Sequence, residues 1–314
     1  KNLSHLEMTM SVIIATYNGR HKIENILSSL ESQSVKDFEL VVVVDGSSDG
    51  TAAFLQGRMS LLKDLKVIEQ VNKGRAGARN AGAKMANGDL LIFFDDDLIL
   101  EPNCMEEHLG HHKSSPESIG GGRPVMVSEP ESSYFHKYRS DLSSKWEKPL
   151  LEAVGPVNEL QPFFTAANFS IPRLLFEQLG GFNESLTDAE DQEMAIRADQ
   201  SGVPIYYLSK AVAYHVDELS ITNYIKRLRQ YREAHLELLT RLDGKNENYL
   251  ARAVPFSQPV SLLRKIVYRF FGQAIFLRLS ENDRLMGVLP ESIRHKFFDW
   301  VTTAYGIYHM RLPL

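Results

Sequence analysis

A single cysteine, Cys104, stands in a chain of 314 residues, so neither an intramolecular disulfide nor a multi-cysteine zinc site can form. That fits a reducing compartment. No apolar run reaches the roughly 18 residues of a membrane span, and no secretory h-region opens the chain. Excess positive charge is lacking as well. The 35 Lys and Arg against 40 Asp and Glu give a net charge of −5, which argues against a nucleic-acid partner. There is no internal repeat and no long low-complexity tract. Residues 1–7 read as a leader outside the fold. What remains is an ordinary soluble composition, long enough for one large domain or two smaller ones.

The most informative segment is Leu90–Asp97, where an apolar run of strand length ends in three adjacent carboxylates, Asp95, Asp96 and Asp97. Such a run suits a strand buried on both faces. Three consecutive aspartates repel one another unless a compensating charge holds them, and Mg²⁺, Mn²⁺ and Ca²⁺ prefer carboxylate oxygens. If the chain stays extended there, Asp95 and Asp97 face one site and Asp96 faces away. A solvated acidic turn is the plainer alternative.

The first hundred residues alternate between strand and helix signatures. Strands are expected at 11–15, 38–44, 65–69 and 90–94, and helices at 21–33, 51–62 and 76–86. This order implies an α/β fold, a mostly parallel central sheet flanked by helices. Ligands of such sheets bind beyond the carboxyl ends of the strands. Polar clusters sit at three of those ends: Thr16, Tyr17 and Asn18; Asp45 through Asp49; and Asp95–Asp97. Asp45 and Asp49 offer acceptors to a base or ribose. The glycine-rich segment with Lys73, Gly74 and Arg79 opens a helix, and Arg79 suits either a phosphate or the acidic cluster.

Residues 129–162 read as a loop or partly helical excursion. A strand follows at 163–171, then a helix to Leu179, a helix over 188–201 with acidic residues in its first turn, and short strands at 205–208 and 212–215. From 220 onward the pattern is helical, near 220–242, 259–279 and 290–304. Within 262–278, Leu262, Leu263, Ile266, Val267, Phe270, Phe271, Ala274 and Leu277 share one helical face, with Arg264, Lys265 and Arg269 beside it and no acidic residue. This is the profile of an interfacial helix on anionic lipid, or of a helix packed on the core or on a second subunit.

Five ordered segments resemble the family-2 type glycosyltransferases of the GT-A fold: Val12–Asn18; Val44–Thr51; Asn72–Gly74 with Ala78–Gly82; Phe94–Asp97; and Glu190–Glu193. They span roughly 11–217. The resemblance implies a GT-A catalytic domain over 8–219 and a helical C-terminal extension over 220–314. It implies that Thr16 and Asp45 contact the nucleobase, with Tyr17, Asn18, Lys73, Gly74 and Arg79 nearby and Asp49 near the ribose. Asp95 and Asp97 match the metal-linked Asp-x-Asp pair, with Mn²⁺ or Mg²⁺ as cofactor. Asp96 at the middle position leaves the ligand choice open. His215 stands where relatives place a metal- or diphosphate-contacting histidine. Ala166, Ala167 and Asn168 match the segment beneath the donor sugar.

Asp191 is the expected general base of an inverting transfer, ionised at neutral pH near the positive end of its helix, with Glu190 its adjacent competitor. Glu193 and Arg197 have the spacing of a structural pair. The expected function is metal-dependent inverting transfer from a nucleotide-diphospho sugar, UDP-linked, to a glycan or lipid-linked acceptor. The expected place is the cytoplasm or the inner face of a membrane. A retaining transferase on the same fold and a catalytically silent nucleotide-sugar-binding protein are the competing readings.

Overall fold

The computed structural model describes residues 8–59, 64–158, 164–216, 220–241 and 261–308. Residues 1–7, the end of the helix expected to reach residue 62, the last residues of the excursion expected over 129–162, the start of the strand expected at 163, residue 242 of the helix expected over 220–242 and the start of the helix expected at 259 lie outside them. The chain divides into two compact units, one of Lys1–Val125 with Glu147–Val216, the other of Met126–Trp146 with Asp217–Leu314.

The first unit is built on β1 (Met10–Thr16), β2 (Glu39–Asp45), β3 (Leu65–Gln70) and β4 (Leu90–Asp95), all parallel and ordered β3-β2-β1-β4. Side-chain alternation divides their apolar residues between two cores. Ile13, Val41, Val43, Leu91 and Phe93 face one side, against Ala76, Ala78 and Ala83 of α3 (Gly74–Met85). Val12, Ile14, Val42, Val44, Ile92 and Phe94 face the other, against Ile23, Ile26, Leu27 and Leu30 of α1 (Ile23–Glu31). Both faces of β2 and β4 are covered, which is why these two strands read as nearly unbroken apolar runs. α2 (Thr51–Arg58) follows β2.

Beyond β4 the sheet continues antiparallel, through β5 (Leu98–Leu100), β6 (Ile119–Met126), β7 (Asn168–Pro172) and β8 (Ile205–His215). β8 is one strand of 11 residues where two short ones were expected. α4 (Cys104–Ser114), α6 (Arg173–Gln178) and α7 (Glu190–Gln200) complete the layers. The expected excursion at 129–162 contains an 18-residue helix, α5 (Tyr134–Leu151). Its Ser, Lys and Glu content hides the signal, but Phe135 and Tyr138, one turn apart, are buried. Pro149 falls near its end.

Register sets the level of the strand ends. Thr16 pairs with Val44, Ala15 with Asp95, and Asp45 with Gln70. The polar residues terminating β1, β2 and β4 therefore share one edge. Phe94 pairs with Asn168 and Leu98 with His215, so β7 and β8 bring further residues to the same edge.

The second unit gathers Phe135, Tyr138, Ile221, Ile225, Leu277, Phe298, Val301 and Tyr305 into one core. Its helices are α8 (Ile221–Arg241), α9 (Leu262–Phe271), α10 (Ala274–Ser280), α11 (Asp283–Val288) and α12 (Glu291–Thr303). The single helix expected over 259–279 is broken at Gly272–Gln273. Gly272 ends α9 and Gln273 is extended. On a continuous helix Phe271 and Phe276 would point roughly 140° apart; the break brings their ring centroids to 4.8 Å. Among the described residues no helix is long and apolar enough to cross a membrane.

Candidate active site

Beyond the ends of β1, β2 and β4 lies a cavity of about 270 Å³ whose walls include Tyr17, Asp45, Gly74 and all three aspartates, Asp95, Asp96 and Asp97. The first loop, after β1, is built to close. Asn18 adopts a left-handed φ of 49°, which asparagine tolerates better than most residues. Its backbone N–H donates to Ser47 Oγ and its Oδ1 accepts from Ser48 N–H, both at 2.9 Å. Asn18 thus ties the first loop to the second rather than lining the cavity. Tyr17 is left 57% exposed at the rim, a platform of the kind on which bases stack. Gly19 is needed for a different reason: a Cβ there would lie 2.1 Å from Thr16 Oγ1 and 2.5 Å from Asp96 Oδ2.

That contact explains Thr16 and Asp96. Thr16 Oγ1 donates to Asp96 Oδ2 at 2.6 Å, and Lys22 Nζ reaches Asp96 Oδ1 at 2.9 Å. Asp96 therefore does not face away. The chain leaves the extended conformation after Asp95, so alternation no longer holds, and Asp96 is buried and ion-paired. Lys22 was not singled out from the sequence, because nothing local marks a lysine before a helix as the partner of a carboxylate 74 positions on.

Asp45 is buried, with Oδ1 accepting from Gln70 Nε2 at 2.7 Å and from Lys73 N–H at 2.8 Å. Both bonds fall on one oxygen, so the carboxylate is fixed in orientation while Oδ2 takes neither. Lys73 serves here through its backbone. Asp49 is spent locally, on the N–H and hydroxyl of Thr51 and on Arg20 N–H. The Thr51 hydroxyl bond is the chief reason its carboxyl titrates below the usual value.

The small residues of α3 carry the next step. A Cβ on Gly82 would come within 2.5 Å of Ile13 Cγ2, so glycine lets the helix lie close on the sheet. Arg79, one turn earlier, is thereby pressed into the strand ends, where it bridges Asp95 at 2.7 Å and Glu190 at 2.5 Å. Burial works against its charge, but Asp95 and Glu190 more than offset that and hold it protonated. Of the two roles open to Arg79, the geometry shows the pairing with carboxylates. Replacing Arg79 with Met should leave Asp95 and Glu190 without their shared counter-charge. The expected cost is about 3–5 kcal/mol, read from chemical denaturation at pH 7; a loss under about 1 kcal/mol would mean the bridge contributes little.

Asp191 follows Glu190 at the start of α7, after Ala189, whose φ of 60° is left-handed and costs a non-glycine residue about 1–2 kcal/mol. Ala166 N–H donates to Asp191 Oδ2 at 3.2 Å, Gln192 N–H donates to Oδ1 at 2.8 Å, and Ala167 O accepts from Asp95 N–H at 3.0 Å. The Ala166–Ala167 backbone therefore joins the acidic strand end to the acidic helix start. Glu190 is buried and locked to Arg79, whereas Asp191 stays partly exposed. Burial and then the neighbouring Glu190 charge push the Asp191 carboxyl up to about 6. These two effects outweigh the Ala166 N–H bond, the Arg79 charge and the Gln192 N–H bond, which favour the ionised form, and Asp191 is still mostly ionised at pH 7.

Asn168, expected under the donor sugar, is committed to the fold instead. It is fully buried; Oδ1 meets His108 Nε2 at 2.8 Å and Nδ2 donates to Ala211 O at 2.9 Å. His108 and His112, both on Ser170 Oγ, are kept neutral chiefly by burial. The partners of Asn168 lie 60 and 43 positions away, so only the folded chain shows that its amide is already used.

The cation question turns on Asp97 and His215. Asp97 Oδ1 is buried, makes no hydrogen bond among the described residues and faces His215 Nδ1 at 3.6 Å. Burial alone would raise the Asp97 carboxyl; His215 and Lys22 outweigh it and hold it at about 2. A hard carboxylate oxygen and an imidazole nitrogen 3.6 Å apart are ligand types that a divalent cation takes. Asp95, expected to share it, has Oδ1 taken by Arg79.

Comparison with known proteins gives the family and the fold. The model of the family described as glycosyl transferase family 2 matches residues 11–180, more than half the chain. The O-antigen chain rhamnosyltransferase RfbN of Salmonella typhimurium is 29% identical over 66% of this chain and 66% of its own length. Validoxylamine A glucosyltransferase of Streptomyces hygroscopicus is 30% identical over 64% of this chain and 54% of its own. Among solved structures, the mannosyltransferase PcManGT of Pyrobaculum calidifontis, in complex with GDP-Man and Mn²⁺, aligns with a TM-score of 0.63 and 18% identity over 98% of this chain and 87% of that one. Residues 1–349 of S. aureus TarS, in complex with UDP-GlcNAc, align with a TM-score of 0.55 and 20% identity over 97% and 92%. At those identities the structures speak for the fold, and the family match speaks for the chemistry: this chain belongs to glycosyltransferase family 2 and is a glycosyltransferase of the GT-A fold.

Proposed function

We propose that this glycosyltransferase moves a sugar from a UDP-linked donor to a hydroxyl of a cell-envelope glycan or lipid-linked acceptor, with inversion at the anomeric carbon and with Mn²⁺ or Mg²⁺. The observation that carries the reading is the contrast between two adjacent carboxylates. Glu190 is neutralised by Arg79, while Asp191 is partly exposed and has its carboxyl raised to about 6. A general base works best when its pKa lies near the working pH. Asp191 would take the proton of the acceptor hydroxyl as its oxygen bonds to the anomeric carbon. The bond from that carbon to the diphosphate oxygen breaks, and its electron pair leaves with the nucleoside diphosphate.

Tyr17 would stack on the base, and the fixed Asp45 carboxylate would accept an imide N–H such as that of uracil N3. Asp97 and His215 would hold the cation, which when bound neutralises charge on the leaving diphosphate. The envelope acceptor is supported by the relative that acts on O-antigen chains. The domain roles proposed here are catalysis in the first unit and acceptor or surface contacts in the second.

A panel of UDP-, GDP- and dTDP-sugars screened by thermal unfolding with Mn²⁺ tests the donor, since a ligand that binds the folded state raises apparent stability. UDP and its sugars should raise Tm more than dTDP-sugars, which share the imide N–H but lack the ribose 2′-OH, and GDP-sugars should not raise it. A rise confined to GDP-sugars would overturn the base assignment.

A further inference from the structure

Among the described residues nothing covers the apolar side of α9. Leu262, Leu263, Ile266 and Phe270 are 75%, 72%, 58% and 53% exposed, and α9 has no buried residue. Their positions fall on one stripe roughly 100° wide. The helix is held to its unit from the other side, where Tyr268 and Phe271 pack on the core of Phe298, Val301 and Tyr305. A helix attached in this way ordinarily turns charge to water; α9 turns Leu, Ile and Phe. Beyond the break, exposed Ile275 adjoins Phe276, whose ring centroid lies 4.7 Å from that of Phe270.

Charge indicates what covers this face. From Ser261 to Ser280 the chain carries Arg264, Lys265, Arg269 and Arg278 and no acidic residue, within a protein of net charge −5. Lys265 and Arg269 border the stripe. A second copy docked on the same face about a two-fold axis would bring these cations together. Lipid phosphates would be matched by them instead, with the apolar stripe entering the boundary between headgroups and acyl chains.

We propose that α9 is a docking surface for anionic membrane lipid. The attachment lies on the surface and is reversible by salt, because exposed charges lose reach as the screening length falls from about 10 Å at 0.1 M to about 3 Å at 1 M. Lys265 and Arg269 supply the selectivity for anionic headgroups, and the four apolar residues supply the insertion.

Co-sedimentation of the full chain with vesicles, without donor or acceptor, tests this independently of the transfer chemistry. Phosphatidylcholine vesicles containing phosphatidylglycerol should retain the protein at low salt and release it at high salt, and pure phosphatidylcholine should retain far less. Lys265→Gln with Arg269→Gln should weaken retention roughly twenty- to thirty-fold, at about five-fold per charge. Ile266→Ser with Phe270→Ser should abolish it. Lys265 and Arg269 are exposed, so the charge pair should leave Tm close to that of the wild type, while Phe270→Ser, which also gives up its contact with Phe276, should lower it slightly without unfolding the chain. Equal retention on both lipids, no retention at all, or a stable dimer dissolved by Ile266→Ser with Phe270→Ser would overturn the proposal.

Discussion

Asp191→Asn is expected to bind the donor as the wild type does and to lose transfer, with kcat falling by about 10²–10⁴-fold. Asparagine keeps the size of the side chain and can still accept from Ala166 N–H through its oxygen, but it takes no proton. The same substitution should make the protein more stable at neutral pH. The folded carboxyl titrates at about 6 and the unfolded one at its ordinary 3.8. The folded state therefore binds more protons between those values, and stability contributed by the protonated form is lost as pH rises through about 6. Removing the charge should recover on the order of 1–3 kcal/mol above pH 7 and nothing below about pH 4. In the wild type, activity should fall on the acid side with a limb near pH 6. Glu190→Gln is the control. It disturbs Arg79, so it should lose stability where Asp191→Asn gains it. Full transfer by Asp191→Asn, alongside an inactive but well-folded Glu190→Gln, would move the base by one position.

Asp97→Ala should abolish transfer supported by Mn²⁺ or Mg²⁺, a loss of at least about 10³-fold if the cation stabilises the leaving diphosphate by several kcal/mol. It should cost about 1–3 kcal/mol of stability at pH 7, because His215 and Lys22 hold the Asp97 carboxyl at about 2, but it should not unfold the chain, since the residue sits past the end of β4 rather than in the core. His215→Ala should weaken cation binding in the same direction and by less, since it removes one of two facing groups. Calorimetric titration with Mn²⁺ in the presence of UDP separates binding from turnover. Undiminished transfer by Asp97→Ala, or by the wild type after exhaustive EDTA treatment, would remove the cation from the reaction.

The strand ends were legible from the sequence because an apolar run cut off by polar residues is a local signal, and at Thr16, Asp45 and Asp95 it marks one edge of one sheet. Glu190–Asp191 was legible for a similar reason, as acid at a helix start. What could not be read there is which side chains the fold consumes. Asn168 looks like a free amide until His108 and Ala211 close on it. Asp96 looks outward-facing until the turn after Asp95 swings it onto Thr16 and Lys22. Asn18 and Asp49 read as ligands for a nucleotide, and nothing in the sequence shows that they also hold two loops together. In the C-terminal helices periodicity identified helix but not its interruption, because Gly272 is a weak breaker whose effect depends on Phe271 and Phe276 sharing one core.

The configuration at the anomeric carbon of the product bears most directly on the role of Asp191. With a donor selected from the nucleotide-sugar panel and an acceptor hydroxyl, one-bond C–H coupling at the new linkage distinguishes the two anomers. A base on the side of the sugar opposite the leaving diphosphate delivers the acceptor oxygen there, so the product should carry the configuration opposite to that of the donor. A product retaining the donor's configuration would contradict the account and leave Asp191 to orient the acceptor or stabilise charge.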